Sequence, residues 1–276
     1  MSDPVRDHAF TRHPARHGML WLTQAWRMFN QHRLAWVVLL MAYYLIMLST
    51  RAIPLVGPWA MTIIKPVLAV GLLAAAWNQE RGKSPELRLI LQGFRANLWA
   101  LLPIGVFFVL GMTAAVFASS LVDGGKLIEF ITSSTAASEA EIAAALADPQ
   151  LQFGMLFSAL LSLPVLVSTW WAPALIVFQD AGPGTALLTS LRAAFANWKP
   201  LVVYGLGVFF YGVILPGLAV SALALVLPPA FGQVVVLAAL LPYLMFFAAT
   251  LHISDYVSYR DVFHADETLV TPATTT

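Results

Sequence analysis

Six long apolar stretches account for most of this 276-residue chain. They lie near residues 34–52, 54–77, 98–121, 151–178, 200–227 and 230–256. About 20 helical residues cross a hydrocarbon core about 30 Å thick, so each stretch is long enough to span a bilayer. Because lipid offers no hydrogen-bond partner to an open backbone, the pattern predicts an all-α bundle of six transmembrane helices.

The composition leaves little room for a soluble domain. Charged residues make up 11% of the chain, whereas an ordinary soluble domain has roughly 25%. We expect an N-terminal tail over 1–17, a single membrane domain over 18–264 and a disordered tail over 265–276, which has no apolar pattern. Since the chain has no Cys, it has neither disulfides nor a thiolate nucleophile.

Positive charge is distributed unequally between the two predicted sides of the membrane. An even number of spans puts both chain ends on one side, and the opposite side then has only Arg51 and Lys126. The side with the chain ends has twelve cationic residues: Arg6, Arg12, Arg16, Arg27, Arg33, Arg81, Lys83, Arg88, Arg95, Arg192, Lys199 and Arg260. Cytoplasmic loops concentrate Lys and Arg, so we predict an inner membrane protein with both termini in the cytoplasm.

Three amphipathic segments each precede an apolar stretch, over 20–33, 84–95 and 183–197. Apolar side chains recur at helical spacing in each, which predicts three interfacial helices. In the second, we expect Ser84 to cap the helix and Pro85 to occupy its first turn.

Basic residues on these helices are placed to meet lipid. Arg27, Arg88, Arg95 and Arg192 are the predicted phospholipid headgroup contacts. Large apolar residues of the same helices are expected to face the acyl chains or the bundle: Trp26 and Phe29, Ile90 and Phe94, Leu191 and Phe195.

Lys65 is a possible functional residue because it falls in the middle of the second predicted span. An ammonium there costs at least about 2.5–3.5 kcal/mol to insert and is often paired, hydrated or functional. The adjacent Pro66 frees a backbone carbonyl. Lys65 therefore either meets that carbonyl or snorkels to the surface, or it lines a transport pathway.

Two histidine groups have less specific interpretations. His252, Asp255 and Tyr259 share one face at the end of the last span. A His and a carboxylate three residues apart can serve as metal ligands or a proton relay, but two potential ligands are too few for a site, which favours a polar helix end facing headgroups and water. His8, His13 and His17 alternate with arginines, which favours a basic tail that seeks anionic lipid over a metal site.

Small residues recur every four positions in the third span, at Gly111, Ala115 and Ser119. Such a stripe lets helices approach closely, and either intramolecular packing or a dimer interface explains it. Within the acidic loop over 122–150, Ser138 and Glu141 have capping-box spacing and predict one short helix.

One run in the fourth span and the helix after it has a distinctive order of Trp, Pro and small residues: Trp171-Ala172-Pro173-Ala174-Leu175-Ile176-Val177, then Ala186-Leu187, Ser190, Ala193-Ala194 and Asn197. With Gly18, Trp21-Leu22, Pro54, Gly57 and Pro66, it resembles a group of uncharacterised six-span proteobacterial inner-membrane proteins. It is more loosely similar to the membrane domain fused to some glycerophosphodiester phosphodiesterases. The soluble phosphodiesterase domain is absent, so the resemblance implies no catalytic activity.

The sequence contains no recognisable catalytic, metal-binding or cofactor-binding motif. We therefore expect a non-enzymatic protein, an accessory or scaffolding subunit or a lipid-organising factor. Its expected partners are the phospholipid bilayer and a membrane protein or a second copy of the chain. Aromatic residues beside the basic ones lie at predicted membrane borders, which favours lipid over nucleic acid. The alternative is a small transporter or channel with a pathway near Lys65.

Overall fold

The computed structural model describes residues 10–50, 57–95, 97–133 and 138–264, and all regular secondary structure in these ranges is helical. The helices are α1 (His17–Gln31), α2 (Arg33–Ser49), α3 (Gly57–Glu80), α4 (Gln92–Arg95), α5 (Leu98–Asp123), α6 (Lys126–Ser133), α7 (Glu139–Leu146), α8 (Pro149–Trp170), α9 (Ala172–Gln179), α10 (Pro183–Ala196), α11 (Trp198–Phe209), α12 (Leu215–Val226) and α13 (Pro229–Phe263). The predicted all-α helical bundle is confirmed.

Five segments of the described chain are long and apolar enough to cross a bilayer: α3, α5, α8 with α9, α11 with α12, and α13. They match the second to sixth predicted spans. The first predicted span corresponds to α2, which has 17 residues and meets α1 at an angle of 103°. This bent pair is the sixth candidate span. Part of the stretch, residues 51 and 52, lies outside the described residues.

The fourth span is broken between α8 and α9 because a side chain interrupts its hydrogen-bond ladder. The backbone N–H of Trp171 donates to Ser190 Oγ at 3.2 Å, and that hydroxyl donates to the carbonyl of Val167 at 2.6 Å. Ser190 thus bridges two groups that would bond directly in a continuous helix. Pro173 follows and removes a further backbone donor.

The stripe of small residues packs inside the molecule. Ala115 and Ser119 are buried, and α5 packs along α8. A side chain added at Gly111 would come within 2.7 Å of Val165 on α8. The intramolecular alternative therefore accounts for this stripe.

The second amphipathic segment differs from its prediction, while α1 and α10 are helical as expected. Residues 83–86 are not helical, Leu87–Leu91 form a 3-10 helix, and only Gln92–Arg95 are α-helical. Glu86, in extended conformation, precedes the 3-10 helix, so Ser84 is not its cap and Pro85 is not in its first turn. The segment lies with its backbone against α3, where a Cβ at Gly93 would come within 1.9 Å of the Val67 carbonyl oxygen.

Large apolar residues of the three segments divide between the core and the surface. Phe29 and Ile90 are buried, whereas Trp26, Phe94 and Phe195 are exposed. In α10 the buried face consists of small residues: Ala186, Ser190, Ala193 and Ala194. Trp26, Phe94 and Phe195 are therefore available to lipid.

The loop between α5 and α8 contains two short helices rather than the single one expected. The predicted capping box is confirmed, because Ser138 caps α7 and Glu141 accepts from the Ser138 backbone. Lys126, at the start of α6, donates to Asp148 and lowers the pKa of that carboxyl. Lys126 therefore links α6 to the start of α8.

Candidate functional site

The end of the bundle that contains α1, α4 and α10 also contains the chain ends that the structure describes, residues 10 and 264. We call it the basic end, because it has the exposed arginines Arg27, Arg88, Arg95 and Arg192. Here α1 packs against α11 and α13 through Gly18, Trp21, Leu22, Ala25 and Phe29. The opposite side of α1 is free for other contacts.

An open groove of about 520 Å³ lies between α1, the start of α12 and the middle of α13. Its walls are mainly apolar, and they include Trp26, Leu215, Phe246 and Phe247. The polar side chains on its lining are Thr23, Arg27, Tyr211, Tyr243 and Thr250. An apolar groove with one cation and a few hydroxyls fits a ligand that is itself amphipathic.

One wall of the groove depends on a π-helical turn, Phe210–Ile214, which joins α11 to α12. Pro216 follows this turn and has no N–H to continue a regular ladder, which accounts for the widened turn. The carbonyl of Tyr211 accepts a hydrogen bond from the Tyr243 hydroxyl of α13. Gly212 lets Phe247 approach, since a Cβ there would lie 2.8 Å from its ring.

The four predicted headgroup contacts are all exposed, but the structure does not bring them into one site. Arg27 lines the groove. Arg88 is paired with Glu86, two residues earlier, so part of its charge is already neutralised. Arg192 lies on the outer face of α10 with Leu188 and Phe195. Of the four predicted headgroup contacts, Arg27 is therefore the one that lines this groove.

Lys65 lies on the exposed side of α3. It does not line the groove between α1 and α13, nor the cavity of about 410 Å³ between α3, α5 and α6. No ion pair joins it to a carboxylate of the described residues. Its role as an intramembrane functional residue stays a prediction.

His252 and Asp255 lie close together on one face, with 3.7 Å between His252 Nδ1 and Asp255 Oδ2. Asp255 also accepts from Trp170 Nε1 at 3.0 Å. Tyr259, however, is buried, and its hydroxyl lies 2.8 Å from His264 Nε2. The Tyr259 ring packs between Phe178 and Phe263. The prediction that this helix end faces headgroups and water is therefore wrong at Tyr259.

The basic end also contains buried polar contacts that sequence reasoning missed. Glu80 of α3 pairs with Arg260 of α13, and it accepts from the Tyr256 hydroxyl. Arg260 Nη2 also donates to Gln24 Oε1 of α1 at 2.9 Å. In the described part of the chain, every buried side-chain nitrogen and oxygen has a hydrogen-bond partner. The sequence offered one indication of the role of Glu80, since it is an acidic residue at the end of an apolar stretch.

Gln79 joins three elements through its amide. It accepts from Trp36 Nε1 at 2.7 Å, and its Nε2 donates to the Met28 carbonyl at 2.6 Å and to Gln31 Oε1 at 3.0 Å. These bonds cross the bend between α1 and α2, so Gln79 ties both arms of that bend to α3.

We expect Gln79→Leu to lower the free energy of unfolding by about 1–3 kcal/mol, because it leaves the buried Trp36 indole N–H without an acceptor. Unfolding in detergent, followed by tryptophan fluorescence, measures the change. Adding Trp36→Phe removes the orphaned donor, so the double variant should lose less than the sum of the two singles. Strictly additive losses would contradict this account of Gln79.

His13 and His17 do not behave as a basic tail. Both rings pack against Asp261 near the end of α13, and the His17 Nδ1 to Asp261 Oδ2 distance is 2.8 Å. The four-residue spacing of the histidines was visible in the sequence, but Asp261 is 244 residues away from His17. His8 lies outside the described residues.

Comparison with known proteins gives one informative match. The chain is 29% identical over 265 residues to a protein of Burkholderia thailandensis named a probable inner membrane protein, and the match covers 92% of this chain and 93% of that protein. No family model matches the chain, and no solved structure matches it. The resemblance to the phosphodiesterase-fused membrane domain gains no support. With the spans of the structure, the match identifies an integral membrane protein.

Proposed function

We propose that this is a non-enzymatic protein of the bacterial inner membrane, with cytoplasmic termini, that binds anionic phospholipid at its cytoplasmic face and acts as an accessory or lipid-organising factor. The groove between α1 and α13, with Arg27 on its lining, is the observation that carries the proposal. The excess of Lys and Arg at the basic end supports the orientation. The relative from B. thailandensis supports the location.

The chemistry of the groove matches the two parts of a phospholipid. Arg27 offers a guanidinium, which suits a phosphate headgroup, while the neighbouring Thr23 hydroxyl donates to the Leu20 carbonyl at 3.1 Å. Leu215, Phe246 and Phe247 offer an apolar wall for an acyl chain. Arg27 is exposed, and it lies on an amphipathic helix of the kind that binds in the plane of a membrane interface.

The accessory role is supported by apolar surface that the chain itself leaves uncovered. No residue of α12 is buried, and apart from the π turn that precedes it, its main packing contact is with α13. Lipid or a partner membrane protein covers such a surface. Purification in a mild detergent should therefore yield a stoichiometric protein or lipid, and a chain that purifies with neither would contradict the proposal.

We expect Arg27→Glu to weaken binding of anionic phospholipid to the purified protein. An arginine near an anionic surface contributes about 1 kcal/mol, so reversing one charge should lower affinity by about five- to thirtyfold. Native mass spectrometry with phosphatidylglycerol, cardiolipin and zwitterionic phosphatidylcholine measures the bound lipid.

Arg27→Lys is the matched control, because it keeps the charge and should retain most of the binding. Thr250→Trp tests the apolar part, since it fills the groove without changing charge and should weaken all three lipids. Unchanged binding in both Arg27→Glu and Thr250→Trp would exclude this groove as the lipid site. The thermal unfolding curve of each variant shows whether the bundle is intact.

The alternative function, a small transporter or channel, needs a polar pathway through the bundle that includes Lys65. The exposed position of Lys65 on the outside of α3 favours the lipid-binding function instead. Transport that is lost in Lys65→Met protein with an unchanged melting temperature would reverse this preference.

A further inference from the structure

Two histidines and one aspartate meet where the start of the described chain packs on the end of α13. His17 Nδ1 lies 2.8 Å from Asp261 Oδ2, and His13 Nε2 lies 3.8 Å from the same oxygen. One ligand atom from each residue falls within 4.8 Å of the other two. The side chains of His13, His17 and Asp261 are 10%, 20% and 24% exposed, so the cluster is sheltered but still in contact with its surroundings.

Two backbone hydrogen bonds and one side-chain hydrogen bond hold the cluster in place. Thr11 N–H donates to the Val262 carbonyl at 2.7 Å, and His13 N–H donates to Asn197 Oδ1 at 2.8 Å. Trp21 Nε1 donates to Asp261 Oδ2 at 2.8 Å and orients the carboxylate. Partners of this kind, which position metal ligands, support affinity in known metal sites.

We propose that His13, His17 and Asp261 form a binding site for a divalent transition-metal cation, with Zn²⁺ as the best match. Zn²⁺ binds imidazole nitrogen and carboxylate oxygen at about 2.0–2.2 Å in tetrahedral geometry, which separates its ligand atoms by about 3.3 Å. The 2.8 Å and 3.8 Å separations bracket that value. The two rings are stacked at 4.3 Å, so one of them rotates to converge on the ion. Water takes the fourth position.

The ligand chemistry selects among cations. Two imidazoles favour Zn²⁺, Ni²⁺ and Cu²⁺, whereas Mg²⁺ and Ca²⁺ prefer sites made of oxygen atoms. The ion would replace two hydrogen bonds with metal–ligand bonds. One joins His17 Nδ1 to Asp261 Oδ2, and the other joins His13 Nε2 to the Asp261 backbone carbonyl at 2.8 Å. Because the ligands come from the segment before α1, from α1 itself and from α13, binding would fasten the start of the chain to its last helix.

The experiment titrates Zn²⁺ into the full-length chain in detergent, after purification without a histidine tag and removal of metals with a chelator. Isothermal titration calorimetry should show one equivalent per chain, Mg²⁺ should not compete, and the melting temperature should rise with Zn²⁺. Co²⁺ in place of Zn²⁺ should give absorption bands typical of tetrahedral nitrogen and oxygen ligands.

His13→Ala, His17→Ala and Asp261→Asn should each weaken Zn²⁺ binding by more than about tenfold, because losing even an outer-sphere partner costs 10- to 100-fold. His32→Ala is the matched control, since His32 lies at the bend between α1 and α2 and outside the cluster. The proposal is overturned if the wild-type chain binds no stoichiometric Zn²⁺, or if the three variants bind it as tightly as His32→Ala does. If Asp261→Asn does not fold, the Zn²⁺ affinity of His13→Ala and the Co²⁺ spectrum of the wild-type chain test the proposal instead.

Discussion

Replacing Arg260 by methionine is expected to lower the free energy of unfolding by about 3–5 kcal/mol, because it leaves the Glu80 carboxylate without its cation. The two side chains are 19% and 14% exposed, so water cannot easily take over the role of the missing partner. The change also removes the hydrogen bond from Arg260 to Gln24 of α1. Three elements, α1, α3 and α13, therefore lose a common contact.

Reversible unfolding in mixed detergent and SDS measures this loss. Arg192→Met is the matched control, since Arg192 is exposed on α10 and its loss should change stability little. Adding Glu80→Gln to Arg260→Met removes the unpaired charge and should restore part of the stability. If Arg260→Met were no less stable than Arg192→Met, the Glu80–Arg260 pair would not hold these helices together.

Gly18→Ala is expected to destabilise the bundle by at least about 3 kcal/mol, which is at the upper end of the usual cost of overpacking. A Cβ at Gly18 would lie 2.1 Å from the Pro200 carbonyl oxygen and 2.6 Å from the Tyr204 backbone nitrogen. Both atoms belong to the backbone of α11, so no side-chain rotation relieves the clash. Helices α1 and α11 would have to move apart.

Gly205→Ala provides the control on α11, because nothing lies within 4 Å of its added Cβ. Alanine favours a helix over glycine by about 1 kcal/mol, so this variant should be as stable as the wild type or slightly more so. Melting temperatures and the yield of monodisperse protein measure both variants. Equal behaviour of the two would show that α1 does not approach α11 as closely as Gly18 indicates.

Predictions from the sequence succeeded where the cause was local. Mean hydropathy over about 20 residues locates a span, and the serine cap of α7 needs only Ser138 and Glu141. The prediction for the 84–95 segment was wrong because its cause was not local. Its helical spacing was clear, but contacts with Gly71 and Val67 of α3 determine its actual path. The break at Trp171 likewise depends on Ser190, 19 residues later.

The candidate site was only partly predictable. Arg27 was expected at the membrane surface from its position on an amphipathic helix. The groove beside it depends on the π turn before Pro216 and on contacts with α13, more than 180 residues further along the chain. The cluster around Asp261 and the Glu80–Arg260 pair join residues 244 and 180 positions apart. No periodicity or spacing rule relates residues at such distances.

The pairing of the first elements with the last has a consequence for biosynthesis. A ribosome delivers α1 and α3 to the membrane long before α13. Among the described residues, the side-chain polar partners of Glu80, Trp21 and His17 lie on α13. Until the final helix is inserted, the nascent chain therefore carries an uncompensated carboxylate in a half-built bundle. A product truncated before residue 260 could not complete this core, and membrane quality-control proteases would encounter it as an unfinished chain.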